Sequence, residues 1–159
     1  MQGRDYEFQK IPLEKNNSNP IKFVALNPGG KFGIVALETD LRLFNSQTGQ
    51  LLGEPLYPQY YDTSGLPLPL QSIAISANGE FFASGILGVN ATLLWDAISK
   101  QVLGELPTGD VGNGFSEAIA FSPASRALAS ASRDTGLLWW DLDTRNWGKL
   151  ATRMADTGQ

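Results

Sequence analysis

The chain has 159 residues, 42% of them apolar and 18% charged, a balance that builds one ordinary folded domain and not a disordered segment. It contains neither cysteine nor histidine, so disulfides, thiolate chemistry, a Ser-His-Asp triad and Cys- or His-ligated zinc cannot be assembled from it. Its 12 basic and 16 acidic side chains leave a net charge of −4, which makes a nucleic-acid backbone an unfavourable partner.

In chain order, residues 1–20 hold no apolar core of a secretory signal. No stretch of the chain is long and apolar enough to suggest a spanning helix, so a cytoplasmic protein without membrane contact is expected. Tyr6–Ile11 can serve as an outer strand. Three similar segments follow. The first runs from Phe23 to Asn45, the second from Ser72 to Asp96 and the third from Ala118 to Asp141. Their closing aromatics, Phe44, Trp95 and Trp140, lie 51 and 45 residues apart. Each segment opens on a β-rich run that ends at a turn: Asn27–Gly30, Ala77–Gly79 and Ser122–Ser125. Asn78-Gly79 is a strong hairpin signal, because both residues tolerate positive φ. A second strand and a third follow the turn. The shared tracts Gly49–Glu54 and Lys100–Glu105 predict a fourth. Nothing between these strands is periodic enough for a crossover helix, so each unit should be an antiparallel meander. In the tail, Trp147, Leu150, Ala151 and Met154 recur at helical spacing and predict a short helix. The organisation expected is an outer strand and linker over 1–20, repeat units over 21–56, 71–107 and 108–143, a Tyr/Pro-rich loop over 57–70, and a helical tail over 144–159.

A four-stranded unit of about 45 residues that closes on Trp-Asp has the period of a propeller blade. On Ser76–Asp96 and Ser122–Asp141, and above all on Leu128–Gly136 and Leu138–Asp141, the chain resembles the WD-repeat family. The first unit is degenerate, since Phe44-Asn45 replaces Trp-Asp. The resemblance spans about residues 21–141 and implies an all-β fold: three four-stranded antiparallel blades, a partial propeller, with a short C-terminal helix. Members of that family place a Gly-His pair, a turn Asp, a Ser or Thr and the Trp in one buried network per blade. Here the histidine is absent and only Asp134 fits the turn Asp, with Val89 and Glu38 as its counterparts. The pairs Ser84/Trp95 and Ser130/Trp140 remain, so the polar network is incomplete and apolar packing should hold most of the blades together. The tail resembles the segment closing repeat arrays in bacterial signalling NTPases and related multidomain regulators.

Chemical motifs are sparse. Gly114–Ala118 has the spacing of a nucleophile elbow at Ser116, but it leads into a strand and lacks a histidine base. Asp141–Arg145 starts like a calcium loop, yet Arg145 occupies a ligand position and no glycine follows at the sixth place. Gly85–Gly88 and Gly109–Gly114 lack a phosphate-loop pattern. No catalytic residue, metal or cofactor is therefore expected. Residues 57–70 form a longer connection than a blade needs, and tyrosine is favoured at binding surfaces. The expected protein-interaction residues are Tyr57, Tyr60, Tyr61 and Asp62 in that loop, with Arg133 and Asp134 in the third blade's turn.

Propellers have typically four to eight blades, and three cannot close a ring. The apolar runs of the terminal blades, led by Phe23, Val24 and Leu26 at one end and Leu137, Leu138 and Trp139 at the other, call for a neighbour. The expected function is a non-enzymatic interaction or sensor module within a larger propeller. The alternatives are an assembly subunit completed by another copy or another chain, and a propeller enzyme whose site another chain helps to supply.

Overall fold

A computed structural model describes residues 10–13, 19–108, 117–132, 136–143 and 151–153, the last three in backbone only. The described residues form three antiparallel sheets and no helix. Blade 1 contains β1 (Ile21–Leu26), β2 (Phe32–Leu37) and β3 (Leu41–Asn45) in that spatial order. Its fourth position is taken by an irregular segment that touches β3 through two isolated bridges, Leu41 to Leu56 and Phe44 to Leu51. Blade 2 contains β4 (Leu70–Ile75), β5 (Phe81–Ile86), β6 (Ala91–Asp96) and β7 (Val102–Pro107). Blade 3 contains β8 (Ala118–Phe121), β9 (Ala127–Ser132), β10 (Gly136–Asp141) and β11 (Ala151–Arg153).

Strand β11 corrects the helix expected at this point of the tail. Ala151–Arg153 pairs antiparallel with Leu138–Trp140. The free edge of β10 offers unpaired N–H and C=O groups, and pairing satisfies them where local helical spacing could not. Trp147 and the remaining tail lie outside the described residues, as do residues 6–9 of the expected N-terminal strand; Lys10–Leu13 carries no strand. The fourth position of blade 3 is thus filled from its own chain.

Alternation along the strands divides each sheet into a leading face, toward the next blade, and a trailing face, toward the one before. Phe32, Ile34, Ala36, Leu41 and Leu43 on the leading face of blade 1 meet Phe82, Ile86, Leu93 and Trp95 on the trailing face of blade 2, with Ile73 and Ile75 packed alongside. Ala83, Leu94 and Leu106 then meet Leu128, Leu138 and Trp140 of blade 3, with Ile119 and Phe121 alongside. Blade 2 therefore has apolar residues on both faces, which explains why Phe82, Ala83, Leu93 and Leu94 are all buried in succession.

The closing tryptophans are buried, and each keeps its polar partner. Trp95 Nε1–H donates to Ser84 Oγ at 3.0 Å, and Trp140 Nε1–H to Ser130 Oγ at 3.2 Å. Blade 1 uses an apolar version: by register Val35 stands where Ser84 does, and Phe44 where Trp95 does. Gly33, opposite Phe44, makes the room. A Cβ there would lie 2.7 Å from Phe44 Cε1 and 2.9 Å from Leu26 Cδ2. In blade 2 the equivalent position holds Phe82, whose ring stacks on Trp95 at 5.4 Å between centroids.

The turns between first and second strands are tied from blade to blade. Asn27 Nδ2–H donates to the carbonyls of Ser76 and Ala77 at 2.8 and 3.1 Å. The Asn78 N–H donates to Ser125 Oγ at 3.0 Å. Ser125 adopts φ 58°, a value that Gly30 and Gly79 take at the equivalent places without steric cost. After the third strands, Asn45, Asp96 and Asp141 do one job. The Oδ1 of each accepts a backbone N–H two residues on, from Gln47, Ile98 and Asp143 respectively.

Candidate interaction site

The connection from blade 1 to blade 2 folds on itself as a small hairpin. Asp62 N–H donates to the Leu66 carbonyl and Leu68 N–H to the Tyr60 carbonyl, while Tyr61 and Pro67 form a bridge. The Asp62 carboxylate holds the tip, its Oδ1 accepting the N–H groups of Ser64 at 2.8 Å and Leu66 at 2.9 Å. Gly65 at φ 79° allows the reversal. The base is fixed to both neighbouring blades. Leu70 N–H donates to the Glu38 carbonyl, and Leu87 N–H to the Pro69 carbonyl. The loop therefore stands at the end of the sheets that carries the turns around Glu38 and Val89.

The three tyrosines separate into two roles. Tyr60 is half-buried against the first core, and its hydroxyl donates to the Glu105 carboxylate on β7. Burial, followed by the hydrogen bond and charge of Glu105, pushes its phenol up to about 12. Tyr57 and Tyr61 are exposed, and so is Leu66 at the tip. Asp62 acts within the loop by organising backbone. Arg133 and Asp134 lie outside the described residues.

Beside the loop, a groove of about 420 Å³ runs between the outer segment of blade 1 and the start of β7. Pro55, Tyr57 and Pro58 form one wall, Lys100 and Val102 the other. Lys100 Nζ–H donates to the Leu52 carbonyl at 2.6 Å and so links the two walls. Lys100, at φ 59°, takes the place of Gly49 at φ 72° in the preceding unit. Sequence reasoning did not single out this wall. Its signal was the repeated tract in which lysine replaces a glycine at a turn position.

Ser116 lies outside the described residues. Asp143 is paired with Arg126, whose Nε lies 2.6 Å from the carboxylate, and Asp141 caps the turn before it. Among the described residues, no group of three or more acidic side chains could hold a metal ion, and no helix is long and apolar enough to cross a membrane.

No family model matches the sequence, and no curated protein matches it either. Solved structures do. The RRP9 WD40 repeats superpose with a TM-score of 0.65 at 20% identity, over 82% of this chain and 38% of that one. U3-55K gives 0.66 at 20% identity with the same coverage. Kuenenia stuttgartiensis hydrazine synthase gives 0.64 at 14% identity, over 87% of this chain and 37% of that one. The chain spans less than two-fifths of the length of these structures. With its repeated Ser–Trp pairs and blade-to-blade cores, it has the fold of three consecutive blades of a WD40 β-propeller.

Proposed function

We propose that this chain is a non-catalytic protein-interaction module, acting in the cytoplasm as part of a larger propeller and binding through the loop end that carries Tyr57, Tyr61 and Leu66, with Arg133 and Asp134 as further contact residues. The observation that carries the reading is a pair of exposed tyrosines on a backbone-pinned loop. Tyrosine offers a large contact area at small entropic cost, and a loop already ordered loses little more on binding. The rigid blades hold the loop, while its side chains supply specificity. A sensor role would use the same surface. The net charge of −4 disfavours nucleic acid as the partner.

Site-specific photo-crosslinking from position 61 in the host cell tests the reading. One discrete protein adduct is expected, lost in Tyr57→Ser although the melting temperature holds. The same adduct from a probe at Ile98, a residue exposed in another turn, would refute it.

A further inference from the structure

The groove beside the loop is built on strained backbone. Among the described residues, three that are not glycine take a positive φ: Gln59 at 63°, Lys100 at 59° and Ser125 at 58°. Gln59 and Lys100 line this groove, one on each wall. A left-handed backbone is unfavourable for long side chains, and such strain concentrates at sites with a function. The preceding unit holds the turn position of Lys100 with Gly49, at φ 72° and without that cost. Turn geometry therefore does not call for lysine. What lysine adds there is its side chain.

That side chain brings an ammonium to the groove. Its Nζ sits beside Gly53, where a Cβ would lie 2.5 Å away and where φ 81° favours glycine. One of its three N–H donors goes to the Leu52 carbonyl. Among the described residues, Lys100 belongs to no ion pair, and it is the one charged residue lining the groove. Glu54 and Glu105 lie on the adjoining segments, but neither lines it, and Glu105 already accepts from Tyr60. A cation thus stands over an uncharged groove in a chain of net charge −4. The remaining lining is apolar and rigid. Tyr57 on one wall is 52% exposed, and Val102 on the other is 41% exposed. Trp95 is buried beneath them, its N–H already given to Ser84. Pro55 and Pro58 fix the backbone of the first wall and remove two N–H groups, so that wall cannot add a ladder strand and must recognise through side chains.

From this we infer that the groove binds an extended acidic peptide segment of another protein, with an Asp or Glu carboxylate on Lys100 Nζ and a neighbouring aliphatic or proline side chain between Tyr57 and Val102. The inference rests on the protein-interaction reading above and gives that partner its chemistry. A carboxylate accepts the two N–H donors that Leu52 leaves free, and charge-assisted bonds of this kind are the strong ones. The apolar neighbour buries surface on Tyr57 and Val102. Walls held by prolines lose little freedom when it arrives.

Peptides selected from a random phage-displayed library against the full chain test this, with affinities read by fluorescence anisotropy. The enriched sequences should share an Asp or Glu next to an aliphatic residue or proline. Lys100→Gly should weaken the best peptide about 10-fold or more while the melting temperature holds, because glycine takes φ 59° freely. The same peptide with its acid changed to the amide should bind the unaltered chain and Lys100→Gly alike. Val102→Asp should weaken binding, and Leu103→Asp, at a residue 40% exposed but outside the groove, should not. No enrichment, enriched peptides without an acid, or binding that survives Lys100→Gly would overturn the inference. So would equal losses in Val102→Asp and Leu103→Asp, since net charge alone then explains them. A Lys100→Gly chain that melts lower and binds as before would overturn it too, leaving the lysine as a link between the walls. Should Lys100→Gly misfold, Lys100→Met carries the same comparison. The adduct from position 61 separates the two failures. If it forms but no acidic peptide binds, the groove assignment falls and the interaction reading stands; if it never forms, the reading itself falls.

Discussion

The Ser84–Trp95 pair can be weighed against its apolar counterpart in blade 1. Ser84→Ala removes the acceptor of a buried indole N–H. An unsatisfied buried donor of this kind costs about 1–3 kcal/mol. Trp95→Phe removes the donor, thins the stack on Phe82 and leaves a void the size of the lost ring, for about 2–3 kcal/mol. The double substitution loses the volume but leaves no polar group unpaired, the condition Val35 and Phe44 already meet in blade 1. It should therefore cost about 1–2 kcal/mol less than the sum of the single changes. Urea unfolding followed by circular dichroism measures all three. For a chain of this length each kcal/mol also moves the melting point by about 2–4 °C. Strict additivity would refute the claim that the hydrogen bond, and not ring packing alone, stabilises the blade 1–2 seam.

Gly33→Ala should destabilise by about 1–3 kcal/mol through overlap with Phe44 and Leu26, and Phe44→Leu in the same chain should recover part of the loss in a melting experiment. In an ultraviolet pH titration one tyrosine should ionise near 12, and Glu105→Gln should move it down. Because the phenol is raised in the folded state, the stability tied to it is complete below pH 10 and declines as the pH rises toward 12. Backbone N–H groups, Ser99 first, hold the Asp96 carboxyl below its usual value, so its contribution is present above the unfolded value of 3.8 and disappears as acid protonates the folded form. Asp96→Asn, which copies Asn45, should cost no more than about 1 kcal/mol at neutral pH, and the difference should vanish in acid melts.

The meanders and the buried tryptophans were legible because their signals are local: alternation along a strand, a turn token after it, and an aromatic closing each unit. What escaped depends on distant partners. Tyr60 differs from Tyr57 and Tyr61 through the first core it packs against and through Glu105, 45 residues away. Ala151–Arg153 carries weak local preference, and the open edge of β10 decides its conformation. The Ser–Trp pairs were legible too, and both form without the histidine of the fuller network. The clamp from Asn27 to Ser76 and Ala77 had no sequence signal, since it joins the tips of two separate turns.

Among the described residues, blade 2 is the sheet with another blade packed on each face. The amides of its middle strands β5 and β6 reach solvent only after a seam has parted, whereas β1 and β8–β10 can open from the ends. Hydrogen exchange should therefore be slowest at the middle of β5 and β6 and grade outward in both directions. Such a profile makes blade 2 the element that keeps the stack together.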